Sequence, residues 1–162
     1  MSSNEQIRKQ AKADAEDVLK TFGIEDPPIN PVDVAMALGL KVMSANLDSS
    51  VSGVLRKEPG SDPEIFISRT DSLNRRRFTI AHELGHYIER ANSGDNSMTF
   101  VDLRNGKIDQ HEFYANEFAG NLLMPERIVR RMHKDNRSPI EMAGKLGVSV
   151  QAMSVRLEKL GL

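Results

Sequence analysis

Apolar residues recur every three or four positions over most of the chain. That spacing predicts a mainly helical protein with one strand-rich interruption. Ile7, Ala11, Ala15, Val18, Leu19 and Phe22 keep helical register over 4–22, and Gly23 follows as a stop. Pro27, Pro28 and Pro31 break the chain, and Val32, Val34, Ala35 and Leu38 then mark a short helix over 31–39, closed by Gly39. Three short strands are expected at 40–45, 52–57 and 64–68, with Gly53, the Pro59-Gly60 pair and Pro63 read as turns between them. The simplest arrangement of such close neighbours is an antiparallel meander.

Helical spacing returns after Asp71 in Leu73, Arg77, Ile80, Ala81, Leu84, Tyr87 and Ile88, with Asp71 or Ser72 placed to cap. Residues 92–107 are irregular, with 98–103 a candidate edge strand. Helices are expected over about 108–123, 126–134, 139–146 and 150–160. Ser138-Pro139 and Ser149 serve as starts, and Gly147 and Gly161 as stops. The expected fold class is α+β: N-terminal helices, a small antiparallel sheet, a long central helix and a helical tail. The 162 residues suit one domain. They divide into a core at 1–124 and a helix-turn-helix-like tail at 125–162 packed on it.

Composition narrows the chemistry. With no cysteine and four histidines, disulfide frameworks, thiol nucleophiles and Cys-rich zinc sites are excluded, so a metal site must use His, Asp and Glu. The net charge of −1 lacks the footprint of a dedicated nucleic-acid binder. The N-terminal stretch has neither the apolar core of a signal peptide nor the acid-poor composition of a transit peptide, and no run is long and apolar enough to span a membrane. A cytoplasmic location is expected.

The sharpest motif is His82-Glu83-Leu84-Gly85-His86, an HExxH sequence inside the predicted central helix. Residues i and i+4 share a helix face, so both imidazoles can address one ion. Glu83 is offset by one residue and reaches the same side, which suits a carboxylate taking a proton from a metal-bound water. The uncharged flanks (Ile80, Ala81, Leu84, Tyr87, Ile88) place the motif in the interior, where buried polar groups need partners and zinc would provide one. Gly85 costs about 1 kcal/mol against Ala in a helix, and a close backbone or substrate approach would offset it.

A catalytic zinc needs a third ligand and an open fourth position. The pattern that continues to a Gly and a third His is excluded, because those positions hold Glu89 and Asn92. On the 108–123 helix, Glu112 lies near one margin of the apolar face and His111 near the other, so geometry leaves both open. Glu112 is preferred, with Asn116 one turn along the same side as a hydrogen-bonding support; the plainer reading of Glu112 is a first-turn acid favoured by the helix dipole. Glu117 is read as a solvated charge on the opposite side, Arg75 and Arg76 as solvated, and His133 and Met124 as structural. His111, Tyr114 and Tyr87 are candidates for the donor that would stabilise an oxyanion.

Arg76-Arg77-Phe78-Thr79-Ile80-Ala81-His82-Glu83-Leu84-Gly85-His86, followed by Glu112 to Pro125 with Ala115-Asn116, Phe118-Ala119 and Leu122-Leu123-Met124-Pro125, resembles the ImmA/IrrE family of zinc metallo-endopeptidases. The likeness extends to Pro31–Ala35 and to the tail from Val148-Ser149 to Arg156-Leu157. It implies a zincin-like core with zinc on His82, His86 and Glu112, and Glu83 as the catalytic carboxylate. It also implies a protein substrate, commonly a co-encoded helix-turn-helix repressor, and loci devoted to transcription regulation or toxin–antitoxin function. The competing class is a non-proteolytic zinc-containing protein that acts by binding a partner or DNA.

DNA contact, if any, belongs to the tail. Residues 125–162 carry eight Lys+Arg against four Asp+Glu, a net +4, and leave −5 on residues 1–124. A DNA reading directs Ser149, Gln151, Ala152 and Arg156 toward a groove. Packing of the helix pair on the core is the preferred alternative. A substrate strand is expected to add to the 63–68 or 52–57 strand.

Overall fold

In a computed structural model that describes residues 1–162, seven helices and four strands form close to their expected positions. The helices are α1 (Ser3–Phe22), α2 (Pro31–Ala37), α3 (Leu73–Asn92), α4 (Gln110–Leu123), α5 (Glu126–Lys134), α6 (Pro139–Leu146) and α7 (Val150–Lys159). The strands are β1 (Lys41–Ala45), β2 (Val51–Lys57), β3 (Glu64–Ser68) and β4 (Met98–Leu103). Short polar side chains start the helices by accepting an otherwise unpaired backbone N–H: Ser72 for α3, Asp109 for α4 and Ser149 for α7. Ser138 and Glu141 form a reciprocal capping box on α6.

The sheet departs from the expected meander. Its order is β1-β3-β2-β4, with β1 parallel to β3 and the other pairs antiparallel. The Pro59-Gly60 turn joins β2 to β3 as a hairpin, and β4 takes the other edge of β2. β1 takes the outer edge of β3 and runs in the same direction as β3. As a result the 52–57 and 64–68 strands are interior and have no free edge, and β4 is the open border nearest α3. Gly53, expected in a turn, lies inside β2.

α3 crosses one face of the sheet and packs against α4. Leu55, Ile65 and Ile67 of the sheet, Ile80, Ala81 and Leu84 of α3, Phe118 and Leu122 of α4, and Ala11 and Ala15 of α1 form one continuous core. Gly85 sits at the α3–α4 crossing, where an added Cβ would lie 2.9 Å from Ala115 Cα. Close backbone approach therefore offsets its poor helix propensity, as expected from the sequence.

Long side chains bind the tail elements to this core. Arg77 donates from Nε to Gly147 O at 2.9 Å and from Nη2 to Ile29 O at 2.5 Å. Arg156, which a DNA reading would direct toward a groove, is buried: Nε donates to Met124 O and Nη2 to Asn121 Oδ1. Glu117, read as solvated, is also buried and pairs with Lys159 Nζ at 2.5 Å. Arg76, too, is held, donating to Asp71 O and Arg69 O. No helix is long and apolar enough to cross a membrane.

Candidate metal centre

One turn separates His82 from His86 on the buried face of α3, and Glu83 lies between them with no exposed surface. The Asp109 cap accepts from Glu112 N at 2.8 Å and so fixes the first turn of α4. That turn presents Glu112 to both imidazoles: Oε1 is 2.8 Å from His86 Nε2, and Oε2 is 3.2 Å from His82 Nε2. The two Nε2 atoms are 3.1 Å apart.

The fourth group comes from the sheet. Along β4, Met98 and Asp102 are buried and Phe100 half-buried, while Thr99, Val101 and Leu103 are exposed. Inward alternation stacks Phe100 on the His86 ring, with centroids 4.4 Å apart and planes within 8°. It also sets Asp102 Oδ2 3.0 Å from His82 Nε2 and 3.3 Å from His86 Nε2. One ligand-type atom from each of His82, His86, Asp102 and Glu112 falls within 4.8 Å of the others.

The arrangement meets the requirements of a divalent cation. His82 Nδ1–H donates to Asn116 Oδ1 at 2.9 Å. An amide oxygen only accepts, so the ring proton sits on Nδ1 and Nε2 presents its lone pair to the cluster. Asp102 Oδ2 is close to two nitrogens yet makes no well-directed hydrogen bond, and His86 Nδ1 and both Glu83 oxygens are likewise unpaired and buried. The carboxylate oxygens of Asp102 and Glu112 converge with the two Nε2 atoms on a common point, which is costly without a positive charge among them. A donor set of two imidazoles and two carboxylates without sulfur suits a divalent transition-metal ion.

Electrostatics reflect this crowding. Burial pulls the His82 imidazole pKa down, but the carboxylates of Asp102 and Glu112 outweigh it and push it up to about 9. His86 is raised for the same reasons. Glu83 is raised well above the usual carboxylate range, first by burial and then by the nearby acids Asp102 and Glu112. Glu83 also packs tightly on β2: a Cβ at Gly53 would lie 2.7 Å from Glu83 Oε1 and 2.6 Å from Thr79 Cγ2. Only glycine leaves that carboxylate its place.

A cleft of about 690 Å³ opens over His82, Asp102 and Glu112. Phe78 and Thr79 of α3, Leu103 of β4, Asn116 of α4 and Gln151 and Val155 of α7 line it.

Residues 35–158 match the model of the Peptidase_M78 family, described as the IrrE N-terminal-like domain. The chain belongs to this family. M78 is a metallopeptidase family, in keeping with the ImmA/IrrE resemblance in the sequence. No match is found among curated proteins. Among solved structures the M78 chain is similar to a Mycobacterium tuberculosis transcriptional regulator, at a TM-score of 0.62 and 16% identity. The alignment covers 97% of this chain and 52% of that one, so the chain spans about half of its length, and the likeness is one of fold.

The structure thus brings together His82, Glu83, His86, Glu112 and Asn116. It does not bring the suggested oxyanion donors to the cleft. Tyr114 Oη donates to Asp14 Oδ2 at 2.5 Å, on the α1 side of the M78 fold. His111 Nδ1 meets Glu89 at 2.9 Å at the surface, and Tyr87 packs half-buried against the core. Sequence reasoning missed two residues, Asp102 and Gly53. An acid in phase with Met98 and Phe100 on a candidate strand was the available signal for Asp102. Gly53 offered none beyond being a glycine.

Proposed function

We propose that this M78 chain is a zinc-dependent endopeptidase that cleaves a partner helix-turn-helix repressor or antitoxin-type regulator in the cytoplasm. The observation that carries the reading is Glu83: a buried, unpaired carboxylate seated on Gly53, in the same helix turn as His82 and His86, where His82 and Glu112 line an open cleft. A site that only held a metal for structure would have no need of it.

His82, His86 and Glu112 would hold the ion in a zincin-like core, taken as residues 1–124, with 125–162 as the tail that walls the cleft. Bound there, zinc supplies Lewis acidity and makes water a nucleophile near neutral pH. Asn116 holds the His82 tautomer so that Nε2 stays a donor atom. Glu83 accepts the proton of the attacking water and returns it to the leaving amine. Burial and the nearby Asp102 and Glu112 raise its pKa, which favours its taking up a proton. An extended substrate segment pairs with the free edge of β4 and lies across the cleft, with apolar side chains against Phe78, Leu103 and Val155.

A second reading, a non-proteolytic zinc protein that works by binding its partner, has Asp102 in its favour. A fourth protein atom at the cluster is what a closed, structural site would contain. Direct DNA binding draws no support from Arg156, whose guanidinium is spent inside the fold.

The test mixes zinc-loaded protein with the repressor encoded beside it. A single cut is expected, and Glu83→Gln should slow it by about 10²–10⁴-fold while still binding zinc. Equal cutting by Glu83→Gln would overturn the mechanism. Binding of the repressor without cutting, by the parent and by Glu83→Gln alike, would favour the second reading.

A further inference from the structure

We propose that Asp102 is a displaceable fourth protein ligand, which closes the metal shell in the uncomplexed protein and must leave before an oxygen ligand can enter from the cleft. The inference rests on the cluster being a zinc site but does not depend on peptide hydrolysis.

Asp102 differs from the other three groups in what carries it. His82 and His86 stand on a twenty-residue helix and Glu112 on a capped helix, packed against each other in the core. Asp102 stands on β4, which pairs with β2 alone. The β2–β4 pairing slips between Val51 and Gly53, and Asp102 lies at this irregularity. Ser52 Oγ donates to Asp102 O at 3.0 Å, tying down the backbone of that residue. Bulges of this kind commonly re-aim a side chain beside an active site. Here the Asp102 carboxylate is aimed inward: the residue is 7% exposed, and Oδ2 stands within 3.3 Å of both imidazole Nε2 atoms without a hydrogen bond.

Asp102 also shares the cleft wall with His82 and Glu112, whereas His86 is wholly buried. A group arriving through the cleft therefore meets the cluster on the side formed by His82, Asp102 and Glu112, away from His86. A catalytic zinc keeps three protein ligands and one open position, and a structural zinc keeps four. A fourth ligand on an edge strand reconciles the two: the shell is closed at rest and opens when the strand carrying Asp102 shifts or its carboxylate turns away. Segments that pair with the free edge of β4 act on the same strand, which would couple docking to opening.

The experiment compares parent, Asp102→Ala and Asp102→Asn using the metal alone and a small oxygen ligand. Zinc affinity is measured by chelator competition, and acetohydroxamate binding to cobalt-loaded protein is followed through the visible bands of the metal. Asp102→Ala should bind zinc at least about tenfold more weakly. Cobalt-loaded Asp102→Ala should bind acetohydroxamate at least about tenfold more tightly than the cobalt-loaded parent, because no carboxylate competes for the position. Asp102→Asn, of the same shape, should move both quantities in the same directions by less. It also keeps the test sound if the alanine variant folds poorly, which circular dichroism would reveal. A merely structural role would weaken both metal and hydroxamate binding. Equal or weaker hydroxamate binding in the variants overturns the proposal, whatever happens to zinc affinity. The peptidase reading is tested separately by repressor cleavage: opposite shifts in zinc and hydroxamate binding with no cut would sink that reading and leave this one standing.

Discussion

The two halves of the candidate metal centre are built differently. The helical half, His82, His86 and Glu112, depends on local rules: i, i+4 spacing on α3 and a capped first turn on α4. The sheet half, Asp102 and the Gly53 floor under Glu83, depends on which strands pair and on a slip in their register. The comparison teaches where precision comes from. Helices carry the groups that must not move, and the sheet supplies the surface that seats Glu83 and the edge that meets the cleft.

Outside the HExxH motif itself, the largest expected effect falls on the sheet half. Gly53→Ala places a Cβ against Glu83 Oε1 and Thr79 Cγ2 and displaces the carboxylate. Repressor cleavage should fall by about 10²-fold, the usual cost of a misplaced catalytic group. Chelator competition should show zinc affinity much less affected, since the added Cβ meets Thr79 and Glu83 and none of His82, His86, Asp102 or Glu112. A parallel loss of zinc would mean that the two halves are not separable.

Gly85→Ala tests the helical half. The substitution gains about 1 kcal/mol of helix propensity. It also forces a Cβ to 2.9 Å from Ala115 Cα, which is backbone and cannot swing aside. A net destabilisation of about 1–3 kcal/mol is expected from overpacking, read in denaturant unfolding. A stabilised variant would show that the α3–α4 crossing is looser than its geometry implies.

Asn116→Ala removes the acceptor that holds the His82 tautomer. Zinc affinity should drop by about 10–100-fold with the fold intact. Unchanged affinity would show that the imidazole is oriented by packing alone.

The smallest effect concerns the packing of α1 on α5, remote from both halves. Lys12 and Arg130 bond Glu126 and lower its pKa to about 2. A depressed folded-state value contributes stability above the ordinary carboxylate pKa, and that contribution is lost as pH falls through about 2. Glu126→Gln should therefore melt slightly below the parent at pH 6, with the gap closing toward pH 2. Solvent screening keeps the difference small. A gap that widens in acid would reverse the assignment.

What was legible in the chain follows the same division. The helices announced themselves through three-and-four spacing and through Ser, Asp and Gly at their ends, and they formed within a few residues of expectation. His82, Glu83 and His86 are within one helical turn, so their shared face is a matter of helix geometry. Glu112 was reached with more difficulty: the face of α4 admitted His111 as well, and the packing of α4 on α3 turned Glu112 inward and sent His111 to Glu89. Glu117 was misjudged because it is a charge whose partner, Lys159, lies elsewhere in the chain, and Arg156 likewise finds its partners, Asn121 and Met124, far along the chain.

By itself, then, the sequence determined an α+β chain, its helix boundaries, a cysteine-free metal chemistry and the motif that would use it. Each of these depends on residue types or on contacts within a few positions, where bond geometry leaves little choice. The tertiary structure alone decided the strand order, the placement of Asp102 at the cluster, the use of Gly53 as a seat for Glu83 and the burial of the tail's charges. Each of those depends on segments tens of residues apart meeting at ångström distances, and no local periodicity encodes which edge of β2 receives β4.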